Sequence, residues 1–175
     1  MTTPREMGPQ MEIPPRLVRT VYRKASERNQ SFEERDDWDN QAKKWGVDPE
    51  DRHVIGLMGE MAFAIYADLK IDTEIVEWSD GGVDFEVSIN GIERTVDVKT
   101  SQKEPYVLPV KERRVESDYY VLGHLEETTV TFLGAATKEM VLDRERKKSK
   151  FGHYNYEVPI SSLNPTPDSE SIVNV

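Results

Sequence analysis

Two aspartates flank one turn signal in the stretch GGVDFEVSINGIERTVDVKT, which covers residues 81–100. Asn90-Gly91 between two alternating apolar runs is the strongest short-range signal for a β-hairpin with a two-residue loop. In that register Asp84 lies directly opposite Asp97. Carboxylates whose Cβ atoms are about 4.5–5.5 Å apart repel each other, and a divalent cation bound to both removes that repulsion. The hairpin therefore predicts a metal site with oxygen ligands.

Two further residues could join this chemistry. Lys99 follows Asp97 by two positions, so its amine lies on the same strand face, while Val98 packs behind. Glu60 stands in the middle of the apolar stretch HVIGLMGEMAFAIYADL. A carboxylate in such a helix costs free energy unless it is paired or bound to a cation. An exposed polar face with incidental acids is the alternative interpretation of the same residues.

Hydrophobic periodicity indicates the elements that would position these groups. Helical spacing predicts helices over 17–28 and 32–45, and a third helix that begins at Asp48-Pro49 and carries Glu60. The period then changes to two, which predicts strands at about 73–78, 83–89, 92–99, 118–125 and 128–134. A short helix over 137–143 and a last strand with a helical turn in YNYEVPISSL complete the pattern. A buried helix followed by an antiparallel meander predicts an α/β or α+β fold.

The two ends of the chain differ in composition from the middle. Residues 1–15 contain four prolines and are expected to form a disordered arm. We expect one domain over 16–163. It consists of N-terminal helices in 16–46, a core in 50–135 and a C-terminal extension in 136–163. Residues 164–175 are expected to be a flexible tail.

Composition limits the classes of function. The formal charge is −10, from 23 basic and 33 acidic residues, so long-range attraction to phosphate is expected to be weak or repulsive. The absence of cysteine excludes disulfides and thiolate metal sites and favours an intracellular protein. No apolar run is long enough to span a membrane. His53, His124 and His153 do not have the spacing of zinc ligands.

The acids and the lysine resemble the motif of the PD-(D/E)xK nuclease superfamily, which has the restriction-endonuclease-like fold. That motif places an acid at the start of one strand, (D/E)-x-K on the next, and often a glutamate on a preceding helix. Here GVD supplies Asp84, DVK supplies Asp97 and Lys99, and GLMGEMAFAIY supplies Glu60. Two departures are the absence of proline before Asp84 and the use of aspartate where glutamate is commoner. The segments GEMAF, DYYVL and YEVPISSL are similar to those of small nuclease-like proteins of tailed viruses.

The resemblance implies a function and a fold. It implies a central mixed sheet with flanking helices and a buried helix that carries Glu60. It also implies a Mg²⁺-dependent deoxyribonuclease, with Mn²⁺ as a substitute, acting in the cytoplasm of a host cell. A homodimer or a larger viral assembly is expected. A catalytically silent relative that serves as a structural or DNA-binding component is the alternative. A module that binds metal only for structure is a third, and it gives Lys99 no role.

The resemblance also implies a role for each residue of the motif. Asp84, Asp97 and the carbonyl of Val98 would hold the metal, and Glu60 would bind it directly or through water. Lys99 would orient or deprotonate the attacking water, or stabilise developing charge. All of these metal ligands are oxygen atoms, which favours Mg²⁺.

Two basic runs are candidates for contacts with nucleic-acid phosphates. The smaller run consists of Lys111, Arg113 and Arg114. The denser run consists of Arg144, Arg146, Lys147, Lys148 and Lys150. For each run, a solvated loop is the alternative interpretation.

Overall fold

The computed structural model describes residues 8–33, 49–69, 84–149 and 152–174. In these ranges the α-helices are α1 (Pro15–Glu33), α2 (Pro49–Tyr66) and α3 (Lys138–Leu142). The strands are β1 (Gln10–Glu12), β2 (Phe85–Ile89), β3 (Ile92–Ser101), β4 (Val107–Lys111), β5 (Tyr119–Glu126), β6 (Thr129–Thr137), β7 (Arg146–Lys148), β8 (Tyr154–Pro159) and β9 (Ile172–Asn174). Single 3₁₀ turns occur at Glu112–Arg114, Ile160–Ser162 and Ser169–Ser171.

The strands form two sheets. The larger sheet has the order β1-β6-β5-β3-β2-β9, and the smaller has the order β4-β8-β7. The pair β3–β5 is parallel, whereas the other pairs in both sheets are antiparallel. At the start of this parallel pair Asp118 accepts a hydrogen bond from the backbone N–H of Thr95 at 2.9 Å. The architecture is therefore mixed α and β, as the sequence predicts at this coarse level.

The hairpin of β2 and β3 has the register that the sequence predicts. Asn90 and Gly91 form the loop with φ angles of 53° and 82°. Positive φ at both loop residues is the signature of a type I′ turn, whose twist matches that of paired strands. Phe85 pairs with Val96 at the far end of the ladder. The register prediction is confirmed over the described residues of the hairpin.

The larger sheet buries both of its faces. Side chains of α1 and α2 pack on one face against residues that include Val96, Val98 and Phe132. The other face meets the smaller sheet and α3 in a second core around Tyr120 and Leu122. Because side chains alternate along a strand, Asp97 points toward the second core, between two valines that point toward the first.

Several expectations about element positions need correction. The expected disordered arm contains β1, which pairs with β6, and Pro15 already begins α1. The expected loose tail contains β9, which pairs with β2. Strands β4 and β7 were not predicted at all. The expected strand at 73–78 and most of the expected helix at 32–45 lie outside the described residues.

Helix α2 comes very close to β3 at one glycine. A Cβ atom added to Gly59 would lie 1.7 Å from Oγ1 and 2.8 Å from Cβ of Thr100. Only a residue without a side chain allows this approach. The neighbour of Gly59 on the helix is Glu60, so the same close contact determines how near that carboxylate comes to the strand.

Gly59→Ala should therefore destabilise the protein by about 1–3 kcal/mol, the usual cost of overpacking a filled core. Thermal unfolding followed by circular dichroism would measure this effect. Gly56→Ala is a matched control on the same helix, because nothing lies within 4 Å of the Cβ position. It should be neutral or stabilising by up to about 1 kcal/mol from helix propensity. Equal effects of the two substitutions would contradict the close-approach argument.

Candidate active site

Asp84 and Asp97 are close neighbours, since the charge of Asp97 and a hydrogen bond with it both raise the pKa of Asp84. Asp84 precedes β2, and its Oδ2 accepts a hydrogen bond from the backbone N–H of Val98 at 2.7 Å. Asp97 lies within β3 and is buried, with only 5% of its surface exposed. The hairpin register thus brings the two predicted acids together.

The environment of Asp84 favours its protonated form. Burial has the largest effect, and the charges of Glu60 and Asp97 add to it, so the pKa of Asp84 is raised well above its ordinary value of 3.8. The hydrogen bond from Val98 acts in the opposite direction but does not outweigh them. The ionised form of Asp84 would be repelled by Glu60 and Asp97, and a bound cation would relieve that repulsion.

Glu60 is the third acid of the cluster. It is half-buried on α2, and its charge has the second-largest effect in raising the pKa of Asp84, ahead of that of Asp97. In the described parts of the chain, however, no three Asp, Glu or His side chains are arranged to hold a metal ion as they stand. The candidate metal ligands that lie together are therefore Asp84 and Asp97. Glu60 is close enough for its charge to affect Asp84.

Lys99 is paired directly with the acids. Its Nζ lies 2.9 Å from Oδ2 of Asp97, and 36% of its side chain is exposed. Burial lowers the pKa of Lys99, but the charge and hydrogen bond of Asp97, with a smaller effect from Asp84, outweigh burial and raise it. The amine therefore stays protonated at neutral pH beside the two carboxylates.

Tyr120 is a neighbour of the site that the sequence did not reveal. It lies beside Asp97 in the parallel register of β3 and β5 and is fully buried. Its hydroxyl accepts a hydrogen bond from the N–H of Ser117 at 3.1 Å and donates one to the carbonyl of Arg114 at 3.2 Å. Burial is the main cause that raises the pKa of Tyr120. These two hydrogen bonds of the hydroxyl hold the segment after β4 close to the acids.

The smaller basic run begins at the end of strand β4. Lys111 ends β4, and Arg113 and Arg114 follow it in a 3₁₀ turn. Burial lowers the pKa of Lys111, and the positive charges of Arg52, Arg114, Lys99 and Arg113 lower it further. The charge of Lys99 therefore acts on Lys111 of this run. Arg52, in the first turns of α2, is a basic neighbour that the sequence did not single out.

Two residues of the denser basic run, Arg146 and Lys147, form other contacts. Arg146 forms an ion pair with Glu112 at 2.6 Å, and Lys147 forms one with Glu157 at 3.4 Å. Arg146 also lies over the ring of Tyr154 at 5.1 Å. Lys148 is exposed and Arg144 is half-buried, whereas Lys150 lies outside the described residues.

Comparisons with known proteins give no match, whether with protein-family models, with curated proteins or with solved structures. A functional assignment therefore depends on the geometry of this site. Among the described residues, no helix is long and apolar enough to cross a membrane.

The chemistry of the donor set fits a hard divalent cation. Two carboxylates in contact, a third nearby and backbone carbonyls of β3 are all oxygen donors, which Mg²⁺ and Mn²⁺ accept. Burial and then the charges of Glu60 and Asp97 raise the pKa of Asp84, and such a cation would offset both effects. The site thus fits such a cation in its charge and in the type of its ligand atoms.

Asp84→Asn should raise the melting temperature of the metal-free protein at neutral pH, since the amide keeps an oxygen acceptor for Val98 but carries no charge. The folded-state pKa of Asp84 lies above the unfolded value, so its charge costs stability at neutral pH. That cost shrinks as the pH falls below the folded-state pKa and is gone below the unfolded value, and the benefit of the substitution should shrink with it.

Melting curves in EDTA across this pH range would measure the difference. Asp143→Asn, at an exposed aspartate after α3, is the control and should show no such dependence. If the rise in melting temperature caused by Asp84→Asn stays constant as the pH falls, the charge of Asp84 is not its cause.

Proposed function

We propose that this chain is a divalent-metal-dependent nuclease that hydrolyses phosphodiester bonds of DNA, built on a restriction-endonuclease-like core. The observation that carries the proposal is the contact of Asp84 with Asp97, with Lys99 Nζ 2.9 Å from the second acid. The order of elements supports it, because the helix with Glu60 precedes the hairpin that carries the acids and the lysine.

In this mechanism Asp84, Asp97 and the carbonyl of Val98 would hold the metal, and Glu60 would complete the set directly or through water. The bound ion would supply charge neutralisation on the phosphate and a more acidic water. The oxygen of a water attacks phosphorus, the bond from phosphorus to the leaving sugar oxygen breaks, and a proton passes to that oxygen.

Lys99 is suited to act on the water or the phosphate. Its amine is held by Asp97, and the side chain as a whole is partly exposed, so a substrate group could approach it. A protonated amine donates hydrogen bonds to negative oxygen and stabilises the charge that develops in the transition state. Its raised pKa favours this role over that of a base in the resting protein. Among the roles that the sequence left open for Lys99, this argument supports stabilisation of charge.

Lys99→Met is the sharpest test, because methionine keeps much of the stem and removes only the charge and the donors. Cleavage of DNA should fall by about 10²-fold or more. Binding of Mg²⁺ or Mn²⁺, measured by calorimetry, should persist because the oxygen ligands are unchanged. Lys103→Met, at an exposed lysine after β3, is the control and should cleave like the parent protein. Full activity of Lys99→Met would contradict the mechanism.

A catalytically silent protein of the same fold is the second candidate. It is favoured by the finding that no three acids in the described residues form a ready metal-binding group. The two candidates separate when purified protein is incubated with linear, circular, single-stranded and branched DNA in Mg²⁺, Mn²⁺ or EDTA. Cleavage that EDTA abolishes supports the nuclease. No cleavage of any substrate in either metal supports the silent protein.

A further inference from the structure

We propose that the cleft between the end of α2 and the segment 159–168 binds an unpaired base of a DNA strand. The inference rests on the proposed function for the identity of its ligand. It deepens that function by naming the class of substrate, which is DNA with single-stranded or flipped-out bases. The cleft is distinct from the candidate active site, since no acid of that cluster and no lysine is among the described residues that line it.

The cleft is large and is built from distant parts of the chain. Its volume of about 1010 Å³ lies at the upper end of the range of about 300–1,000 Å³ for small-ligand sites. Tyr66 at the end of α2, Tyr106 just before β4 and Leu133 of β6 line it. The segment from the end of β8 to Asp168 forms the opposite wall. The cleft therefore has room for a base and its sugar.

The wall formed by this segment is held in place by two other elements. The backbones of Asn164 and Ala135 of β6 exchange two hydrogen bonds, at 2.8 and 2.9 Å. The hydroxyl of Tyr66 on α2 donates a hydrogen bond to the carbonyl of Pro167 at 2.7 Å. Because both contacts belong to the fold, the cleft exists before a ligand arrives, as most small-ligand sites do.

A buried hydroxyl in the lining has no partner. Oγ1 of Thr166 is buried, and it makes no hydrogen bond within the described residues. Thr166 is itself one of the residues that line the cleft. A buried hydroxyl without a hydrogen bond costs free energy, so the fold retains here a polar group that a ligand would satisfy.

The charge of the lining excludes an anionic ligand. Among the described residues that line the cleft, Asp168 is the only charged one. Burial, and then the charge of Asp168, raise the pKa of Tyr66, so that charge is felt inside the cleft. A phosphate or a carboxylate would be repelled here, whereas an uncharged ring that carries amino groups would not.

The lining matches the two kinds of surface that a nucleobase presents. Its apolar part includes Tyr106, which is 73% exposed, and aromatic rings of this kind stack on the face of a base. Its polar part offers a hydroxyl, an amide and a carboxylate, those of Thr166, Asn164 and Asp168. Such groups are the donors and acceptors that pair with the edges of bases.

Binding through a base also suits the charge of the chain. The net charge is −10, so attraction to phosphates is weak, and Arg146 and Lys147 of the denser basic run are already paired with glutamates. Stacking does not depend on net charge, and the base is the uncharged part of a DNA strand. A base within a duplex is stacked and paired, so the ligand has to be unpaired or flipped out.

The experiment measures binding in EDTA, where no metal supports cleavage and the DNA stays intact. Fluorescence anisotropy follows a labelled single strand, an abasic strand of the same length and the corresponding duplex. The strand with bases should bind more tightly than the other two. Equal affinity for the normal and the abasic strand would overturn the proposal, because both carry the same phosphates. Tighter binding of the duplex would overturn it as well.

Tyr106→Ala should weaken binding of the single strand at least about fivefold, the loss expected when one stacking ring is removed. Tyr106→Phe keeps the ring and should bind like the parent protein. Tyr22→Ala is the matched control, because Tyr22 is an exposed tyrosine of α1 that does not line the cleft. Unchanged affinity of Tyr106→Ala, or an equal loss with Tyr22→Ala, would contradict the assignment.

Thr166→Val separates binding from folding, because valine has nearly the same shape without the hydroxyl. That hydroxyl has no partner among the described residues, so its removal should leave the melting temperature unchanged or raise it. Binding of free deoxynucleosides, titrated by saturation-transfer NMR, should weaken by about 2-fold to 10-fold. A lower melting temperature, or unchanged binding of the nucleosides, would overturn the role of Thr166.

A proline-rich peptide is the other occupant that a groove with aromatic walls can take. A synthetic proline-rich decapeptide is therefore titrated under the same conditions. If it binds and neither nucleosides nor the single strand does, the cleft is not a site for bases.

Failure of the cleft and failure of the nuclease remain distinguishable. If the parent cleaves DNA in Mg²⁺ while Tyr106→Ala and Thr166→Val bind normally, the cleft proposal is wrong and the nuclease stands. If the variants lose binding but the parent cleaves no substrate, the cleft stands in a DNA-binding protein without activity.

Discussion

The backbone N–H of Val98 donates a hydrogen bond to Asp84 at 2.7 Å and thereby fixes that carboxyl group against β3. Asp84 then meets Asp97 in a place where burial and like charge both oppose the ionisation of Asp84. Such a contact is costly in isolation, and the surrounding structure has to maintain it. The type I′ turn sets the register from one end, and the buried strand faces hold it along the ladder.

The helix layer and the second sheet act on this contact from opposite sides. From one side, the absence of a side chain at Gly59 lets α2 approach β3, and Glu60 arrives with it. On the other side, Tyr120 lies beside Asp97, and its hydroxyl donates a hydrogen bond to the carbonyl of Arg114 in the 3₁₀ turn. Acidic side chains are thus concentrated at β3, and basic residues lie next to them. This arrangement suits a negatively charged ligand that binds together with a metal cation.

The sequence predicted those parts of the site that depend on local signals. An Asn-Gly turn and an alternating pattern define a hairpin register over a few residues, so the approach of Asp84 to Asp97 followed directly. Glu60 stood out because a charge in an apolar helix is unusual. The neighbours Tyr120 and Arg52 could not be found this way. Their positions depend on the parallel pairing of β3 with β5 and on the packing of α2, which connect distant segments.

The strands that were missed have a similar physical explanation. Strand β4 contains Pro109, which argues against a strand when read alone, and β7 is three exposed basic residues. Strands β1 and β9 are equally short and lie in segments rich in proline and polar residues. Each becomes a strand because a longer partner offers its free edge, which is information that local sequence does not contain.

Among the described residues, three-residue strands lie at both edges of the larger sheet, β1 on one side and β9 on the other. A short edge offers few unpaired N–H and C=O groups to a second molecule, so the sheet is protected from edge-to-edge aggregation. The two closing strands also join segments far apart in sequence, and such contacts carry a high cost in chain entropy. They are therefore expected to form late in folding, after the hairpin that carries the acids is already in place.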